Sequence, residues 1–165
     1  MTFNSLVFVV FLAVVLGLHR ALPWRAGRLV LVGASYAFYG FLNPWYCLLL
    51  VASTLVDFLV APAIAASNED RRRKLLVALS VVVNLGLLAF FKYGDFGLDN
   101  MNVLLGWLGT EPLPLLELAV PVGISFYTFQ TMSYTLDVYH GKVRPERDFL
   151  AFALYVAYFP QLMAG

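Results

Sequence analysis

The chain has 165 residues, of which 61% are hydrophobic, 16% aromatic and only 13% charged. These fractions exclude an ordinary soluble globular domain. The charged residues come in short clusters between apolar runs, each near the roughly 20 residues that cross a bilayer as a helix. We therefore expect an all-α fold, a polytopic transmembrane helical bundle with about six spans. The net charge of +1 gives no indication of nucleic-acid binding, and no nucleic-acid partner is predicted for this membrane protein.

Cysteine and histidine give no sign of a disulfide or a metal centre. Cys47 is the single cysteine in the sequence and lies within an apolar run, which favours a small packed side chain. His19 and His140 are far apart in sequence, and each lies beside a charge cluster. We therefore expect both at an interface rather than in a catalytic site, with no metal site and no bound cofactor.

The first four apolar runs predict the first four spans, over residues 5–22, 28–42, 45–66 and 75–91. The first run has no Lys or Arg before it and arginines behind it, the reverse of a secretory signal peptide. We therefore predict that it is retained as a span. Asn43 and Pro44 are typical of a tight turn between the second and third spans.

Two polar residues are predicted to meet inside the bundle. Asp57 lies nine residues before Ala66, and Asn84 lies nine residues after Leu75, on either side of the loop between the third and fourth spans. In an antiparallel helix pair the two side chains lie at the same depth and can form a hydrogen bond. An intramembrane carboxylate is a candidate functional residue, but a clamp between two helices explains it as well, and both interpretations stay open.

Residues 94–114 are rich in Gly, Asp and Asn and are predicted to be too broken to span. An apolar stripe at helical spacing within them predicts a short helix in the membrane interface. That stripe consists of Met101, Leu104, Leu105 and Leu108. Pro121 and Gly123 then predict a bend at the start of the fifth span, where freed carbonyl groups need partners.

The fifth span, predicted over residues 120–141, carries many polar side chains for an apolar segment. On a helical wheel five of them fall within one arc of about 120°. This polar arc consists of Tyr127, Gln130, Ser133, Tyr134 and Asp137. A second arc, of Phe129, Met132 and Leu136, suits lipid.

Polar groups without partners cost on the order of 2–7 kcal/mol in hydrocarbon. The polar arc is therefore predicted to face neighbouring helices or a wet cavity. Tunnel lining and packing between helices both remain open for these five residues. For Asp137, an ion pair at the interface near His140 and Lys142 is a further interpretation.

Residues 149–165 begin a sixth apolar segment, interrupted by Pro160. Ten of the eleven Lys and Arg residues fall in the first, third and fifth connections, and Lys92 is the exception. Because positively charged loops stay on the cytoplasmic side, these connections are predicted to be cytoplasmic and the N-terminus to face outward.

Six sequence motifs are spread along the chain. They are SYAFYG (35–40), STLVDF (53–58), FKYGDF (91–96), GISFYTF (123–129), SYTLDVYHG (133–141) and FPQLMAG (159–165). Together they resemble the membrane-bound O-acyltransferase family, and within it the bacterial branch that O-acetylates exopolysaccharides such as alginate.

The resemblance implies a helical bundle with a polar tunnel. An acyl group from a cytoplasmic donor such as acetyl-CoA would pass through it toward hydroxyls of an exported polysaccharide, in the bacterial inner membrane, with exported acetylation proteins as partners. The family's catalytic histidine would lie on a later helix beyond Gly165, so no catalytic residue is assigned. We expect residues 1–165 to be the N-terminal part of one membrane-embedded acyltransferase domain, inactive alone.

Two alternatives remain open from the residues themselves. Asp57 inside a span and a span broken by Pro and Gly also fit a fragment of a transporter or channel. A truncated, inactive remnant is the other alternative.

Overall fold

The computed structural model describes residues 6–117 and 119–162 of the chain, apart from the side chain of Leu42. The predicted segment ends at residues 5 and 165 lie outside these described residues. The described part is entirely helical apart from its connections, which confirms the predicted all-α fold. Its helices are α1 (Leu6–Ala21), α2 (Trp24–Leu42), α3 (Pro44–Ala66), α4 (Asp70–Trp107), α5 (Ile124–Tyr139), α6 (Phe149–Ala157) and α7 (Phe159–Leu162).

Helix α3 lies at the centre and packs against α2, α4, α5 and α6, while α1 packs on α2. Local sequence explains where α3 and α6 begin. The side chain of Asn43 accepts a hydrogen bond from the Trp45 amide at 3.1 Å, with Pro44 in the first turn. Asp148 caps α6 by accepting from the Leu150 amide at 3.0 Å. The predicted turn at Asn43 is therefore also the cap that starts the central helix.

Two of the helices in the described residues, α3 and α4, are long and apolar enough to cross a membrane by length and composition. Helix α1 has 16 residues, and the apolar segment α6–α7 is also shorter than a standard span. Large apolar side chains on the outer faces of α1 and α4 are exposed, including Val9 at 60% and Val82 at 68%. This surface suits lipid and agrees with a membrane protein.

Helix α4 differs from its prediction because it continues for 38 residues, to Trp107. The stripe expected to form a separate interfacial helix instead lies in the C-terminal end of α4, with Leu108 as the C-cap. Polar side chains in this end bind the chain that follows: Asn102 exchanges two hydrogen bonds with the Leu113 backbone, at 2.7 and 2.9 Å. Asp95 accepts from the Leu116 amide at 2.8 Å. At about 1.5 Å per residue the helix is about 57 Å long, well beyond the roughly 30 Å hydrocarbon layer.

The predicted bend before the fifth span is present, and α5 begins at Ile124 rather than near residue 120. Gly123 has a φ of 77°, and a Cβ there would lie 2.5 Å from the Leu162 carbonyl oxygen. Two carbonyl groups of the bend have partners, as the sequence prediction required. The Tyr39 hydroxyl donates to the Val122 carbonyl at 2.8 Å, and the Tyr46 hydroxyl donates to the Ala119 carbonyl at 3.0 Å.

The sixth segment is divided where Pro160 interrupts it. Helix α6 ends at Ala157, and the short α7 follows Tyr158. A proline removes one backbone donor and clashes with the preceding turn. The Phe159 amide at this break donates to the Ser35 hydroxyl at 3.3 Å, so α2 supplies the missing partner. The Phe159 ring packs with Phe8, Phe11 and Phe38 in a small aromatic cluster between α1, α2 and α7.

Candidate functional site

Asp57 is the centre of a buried polar network that joins three helices. Its side chain is fully buried on α3. From α4, the Ser80 hydroxyl donates to one carboxylate oxygen, and the Asn84 amide donates to the other at 2.8 Å. From α5, the Thr135 hydroxyl donates at 2.9 Å. The hydrogen bond expected between Asp57 and Asn84 is thus present, within a larger network than the sequence indicated.

The second half of the network satisfies Asn84. The Ser53 hydroxyl on α3 donates to the Asn84 side-chain oxygen at 2.5 Å, and the Asn84 amide also donates to the Ser80 carbonyl at 3.0 Å. In this arrangement both carboxylate oxygens of Asp57 accept hydrogen bonds from neutral groups. A substrate could reach Asp57 only if α3, α4 and α5 separated. The geometry therefore supports a clamp that fixes three helices rather than a reacting group.

Helix α5 presents its buried side to this network through threonines. Thr128, Thr131 and Thr135 are each at most 2% exposed. The Thr131 hydroxyl donates to the Thr128 carbonyl one turn earlier, at 3.2 Å. A threonine can satisfy itself on its own helix in this way, so a threonine stripe can pack in an apolar interior.

The opposite side of α5 borders an open groove between α4 and the chain that leads into α5. The groove has a volume of about 680 Å³. Lys92 on α4 contributes to its wall, and α5 contributes Ser125, Phe129, Gln130 and Ser133. The Gln130 amide donates to the Tyr155 carbonyl at 2.9 Å, while its oxygen is shielded and has no partner within the described residues. The groove therefore combines an apolar wall with the side chains of one lysine and two serines, whereas the shielded Gln130 oxygen is not part of its exposed surface.

The structure separates the five residues of the predicted polar arc. Gln130 and Ser133 line the groove. Tyr127 is buried in the core at 2% exposure. The Tyr134 hydroxyl accepts from the Glu146 amide at 2.8 Å, and its ring lies 4.7 Å from that of Phe152.

Asp137, the last member of the arc, forms a half-exposed ion pair with Lys142 at 3.4 Å. This is the partner that the sequence interpretation suggested. A ring nitrogen of His140 lies 2.7 Å from the Leu136 carbonyl oxygen of the same helix. Across the described residues no group of three or more His, Cys, Asp or Glu side chains could hold a metal ion.

The clustered basic loops lie at one end of the bundle. Arg28, at the start of α2, donates to Asp148, at the start of α6, at 2.5 Å. Arg73, in the first turn of α4, donates to the Tyr139 carbonyl at the end of α5 and lies over the Tyr139 ring. The Arg28 guanidinium lowers the pKa of the Asp148 carboxyl below its ordinary value. The first, third and fifth connections are therefore held together.

Sequence reasoning missed Ser80, Thr135 and Lys92. Ser80 lies four residues before Asn84 and so shares its helix face, a spacing that the sequence alone shows. Thr135 lies seven and four residues after Thr128 and Thr131, which is the spacing of one helical face. Lys92 stands alone among the basic residues, and only the fold shows that it borders the groove.

No family model matches the chain, and no solved structure matches it. Curated relatives, in contrast, match the chain. The chain is 38% identical over its whole length to the probable alginate O-acetylase of Azotobacter vinelandii, where the match covers 34% of the relative. The same identity over the whole chain is found with the probable alginate O-acetylase of Pseudomonas aeruginosa, covering 32% of that protein. A peptidoglycan O-acetyltransferase of Helicobacter pylori is 35% identical over 84% of the chain and 30% of its own length.

The resemblance to polysaccharide O-acetylating proteins is thus confirmed along the whole chain. The chain spans about a third of the length of the curated relatives that it matches.

Proposed function

We propose, from its relationship to the alginate O-acetylases, that the chain is part of a membrane O-acyltransferase. The complete protein transfers an acyl group, in this proposal an acetyl group, from a cytoplasmic donor to hydroxyls of an exported polysaccharide such as alginate. The observation that carries the proposal is the identity of 38% over all of the chain to proteins named for this reaction. The proposal places the protein in the bacterial inner membrane with several spans, its N-terminus outside and its basic loops in the cytoplasm.

According to their names, the relatives act on two different glycans, alginate and peptidoglycan. The reaction that they share is O-acetylation of a glycan. We take the acceptor to be a polysaccharide hydroxyl and the donor to be acetyl-CoA, with exported acetylation proteins completing the transfer. The alginate O-acetylases match the whole chain and the peptidoglycan enzyme matches 84% of it, which favours an alginate-like polymer.

Acyl transfer to a hydroxyl needs a base for the hydroxyl proton, donors for the oxyanion of the tetrahedral intermediate, and a site closed to water. In the proposal the described helices provide the scaffold and one wall of the path. The Asp57 network holds α5 against α3 and α4, and the other side of α5 lines the groove with Gln130 and Ser133. The base is expected elsewhere in the complete protein, as the sequence resemblance implies.

A gene deletion tests this proposal. We expect cells without the complete gene to export the polysaccharide in normal amounts but with its O-acetyl content strongly reduced, and complementation to restore the acetyl groups. The O-acetyl content per sugar is measured by proton NMR of the purified polymer, and the polymer yield is the control. Reduced export with unchanged O-acetyl content would instead favour the transporter interpretation.

A further inference from the structure

A second groove lies at the basic end of the bundle, between the C-terminal end of α3 and the connection from α5 to α6. Its volume is about 640 Å³, within the range of small-molecule sites. One wall is formed by small apolar residues of α3, Pro62, Ala65 and Ala66, and the other by Arg144, Pro145 and Arg147. The groove therefore has an apolar side and a side with two guanidinium groups.

The two acidic residues next to these arginines in sequence, Glu146 and Asp148, form no ion pair with them. Glu146, which lies between them in sequence, accepts from the backbone amides of Arg147 and Asp148 at 2.7 and 2.9 Å. Asp148 is bound to Arg28. Among the described residues, neither Arg144 nor Arg147 forms an ion pair, and both are exposed. Arg144 and Arg147 thus line one groove, and neither has an ion-pair partner among the described residues.

Guanidinium groups are matched to phosphate because their N–H donors can form two parallel hydrogen bonds to its oxygens. Arg144 and Arg147 are separated by two residues, with Pro145 limiting the backbone between them. Two guanidinium groups on one wall can bind two phosphates or opposite sides of one. The apolar wall of α3 can pack against the uncharged part of the same ligand.

We propose that this groove binds a phosphate-bearing ligand, with Arg144 and Arg147 holding the phosphate and α3 packing against its apolar part. Two sources supply this chemistry at the basic end: the pyrophosphate of an acyl-CoA donor and the headgroup of an anionic phospholipid. The acyl-CoA source rests on the proposed function, because that function needs a donor on the cytoplasmic side. Binding of a lipid headgroup does not depend on it.

The test uses the complete protein in nanodiscs of phosphatidylcholine, with coenzyme A as the soluble probe in calorimetric titrations. The variant R144Q/R147Q removes both guanidinium groups of the groove. The matched control R71Q/R72Q removes two exposed charges from the same basic end, outside the groove. We expect saturable binding that R144Q/R147Q weakens by about tenfold or more, and that R71Q/R72Q changes by no more than about twofold.

A second variant keeps the proposal testable if R144Q/R147Q folds poorly. Ala65→Phe places a ring on the exposed apolar wall without changing any charge, and we expect it also to weaken binding of the probe. Nanodiscs that contain phosphatidylglycerol supply the lipid arm, in which native mass spectrometry counts retained lipid molecules. If coenzyme A does not bind but retained phosphatidylglycerol falls in R144Q/R147Q and not in R71Q/R72Q, the ligand is a lipid headgroup.

The proposal is overturned if both arginine pairs weaken binding equally, since that is the effect of diffuse charge, or if neither probe shows binding that depends on the groove. These assays require no acyl transfer. A negative result here combined with loss of O-acetyl groups in the gene deletion would reject the groove and leave the proposed function in place. Groove-dependent binding with unchanged O-acetyl content in the deletion would support the groove and reject the proposed function.

Discussion

The two sides of α5 have the same helical backbone but different surroundings. The closed side, with Thr131 and Thr135, is buried against α3 and α4, and its polar atoms have partners. The open side, with Phe129, Gln130 and Ser133, borders the 680 Å³ groove, and the Gln130 oxygen has no partner within the described residues. The difference indicates that polar residues in this helix have two kinds of surroundings, a buried contact between helices on one side and an open groove on the other.

Removing the Asp57 carboxylate of α3, which binds the closed side of α5, is expected to have the largest effect. Asp57→Ala leaves donors of Ser80, Asn84 and Thr135 without their acceptor in the interior. We expect the free energy of unfolding to fall by about 3 kcal/mol or more. The measurement is denaturant unfolding of the purified protein in detergent, or its midpoint of thermal unfolding.

A double-mutant cycle sharpens this prediction. Asn84→Ala alone should also destabilise, and the double variant with Asp57→Ala should cost less than the sum of the two, because each removes the same hydrogen bond. Strict additivity of the two changes would show that Asp57 and Asn84 do not stabilise the bundle together.

A smaller effect is expected when one donor of the closed side is replaced by a methyl group of similar shape. Thr135→Val removes one hydrogen bond to Asp57, which keeps its bonds from Ser80 and Asn84. We expect a loss of about 1 kcal/mol. The matched control is Ser133→Ala on the open side, where we expect a change within about 0.5 kcal/mol. Equal losses in the two variants would mean that the two sides of α5 do not differ energetically.

The smallest effect concerns the loop end of the bundle, where an ion pair rather than a buried network joins α2 to α6. The Arg28 guanidinium lowers the pKa of Asp148 from its ordinary value of 3.8. A carboxyl with a lowered folded-state pKa contributes stability that is present above the unfolded pKa and lost as the pH falls through the folded pKa. We therefore expect wild type to lose this contribution below about pH 4.

Asp148→Asn should remove that part of the acid dependence, and thermal unfolding between about pH 3 and 6 measures it. Added salt should weaken the contribution in wild type, because the Asp148 side chain is 41% exposed. An identical acid profile in the variant would show that the pair contributes nothing to stability.

The sequence predicted the helical class, the bend at Pro121 and Gly123, and the meeting of Asp57 with Asn84. The last prediction succeeded because a short loop makes depth in an antiparallel pair countable from the sequence alone. It did not extend to Thr135, because the rotation of α5 about its axis depends on packing against two other helices.

The polar arc is a second case in which the sequence did not show which face of α5 is buried. The arc predicted from the helical wheel did not include the threonines, and it placed Tyr127 with Gln130 and Ser133. The structure buries Tyr127 on the same helix as Thr131, whose hydroxyl donates to its own helix, and Thr135, whose hydroxyl donates to Asp57, so chemical type alone does not identify the exposed side. The continuous α4 was missed for a related reason. Asp95 and Asn102 indicated a break, whereas they bind the returning chain at residues 113 and 116.

Thiol accessibility along α5 tests the two-sided account most directly. Single cysteines at Gln130 and Ser133, and at Thr131 and Met132, are introduced into the complete protein after Cys47 is replaced by Ala. A water-soluble thiol reagent is then applied to native membranes. We predict rapid labelling at Gln130 and Ser133, protection at Thr131 by burial, and protection at Met132, which belongs to the arc that suits lipid. Equal protection at all four positions, or equal labelling, would contradict a closed and an open side of α5.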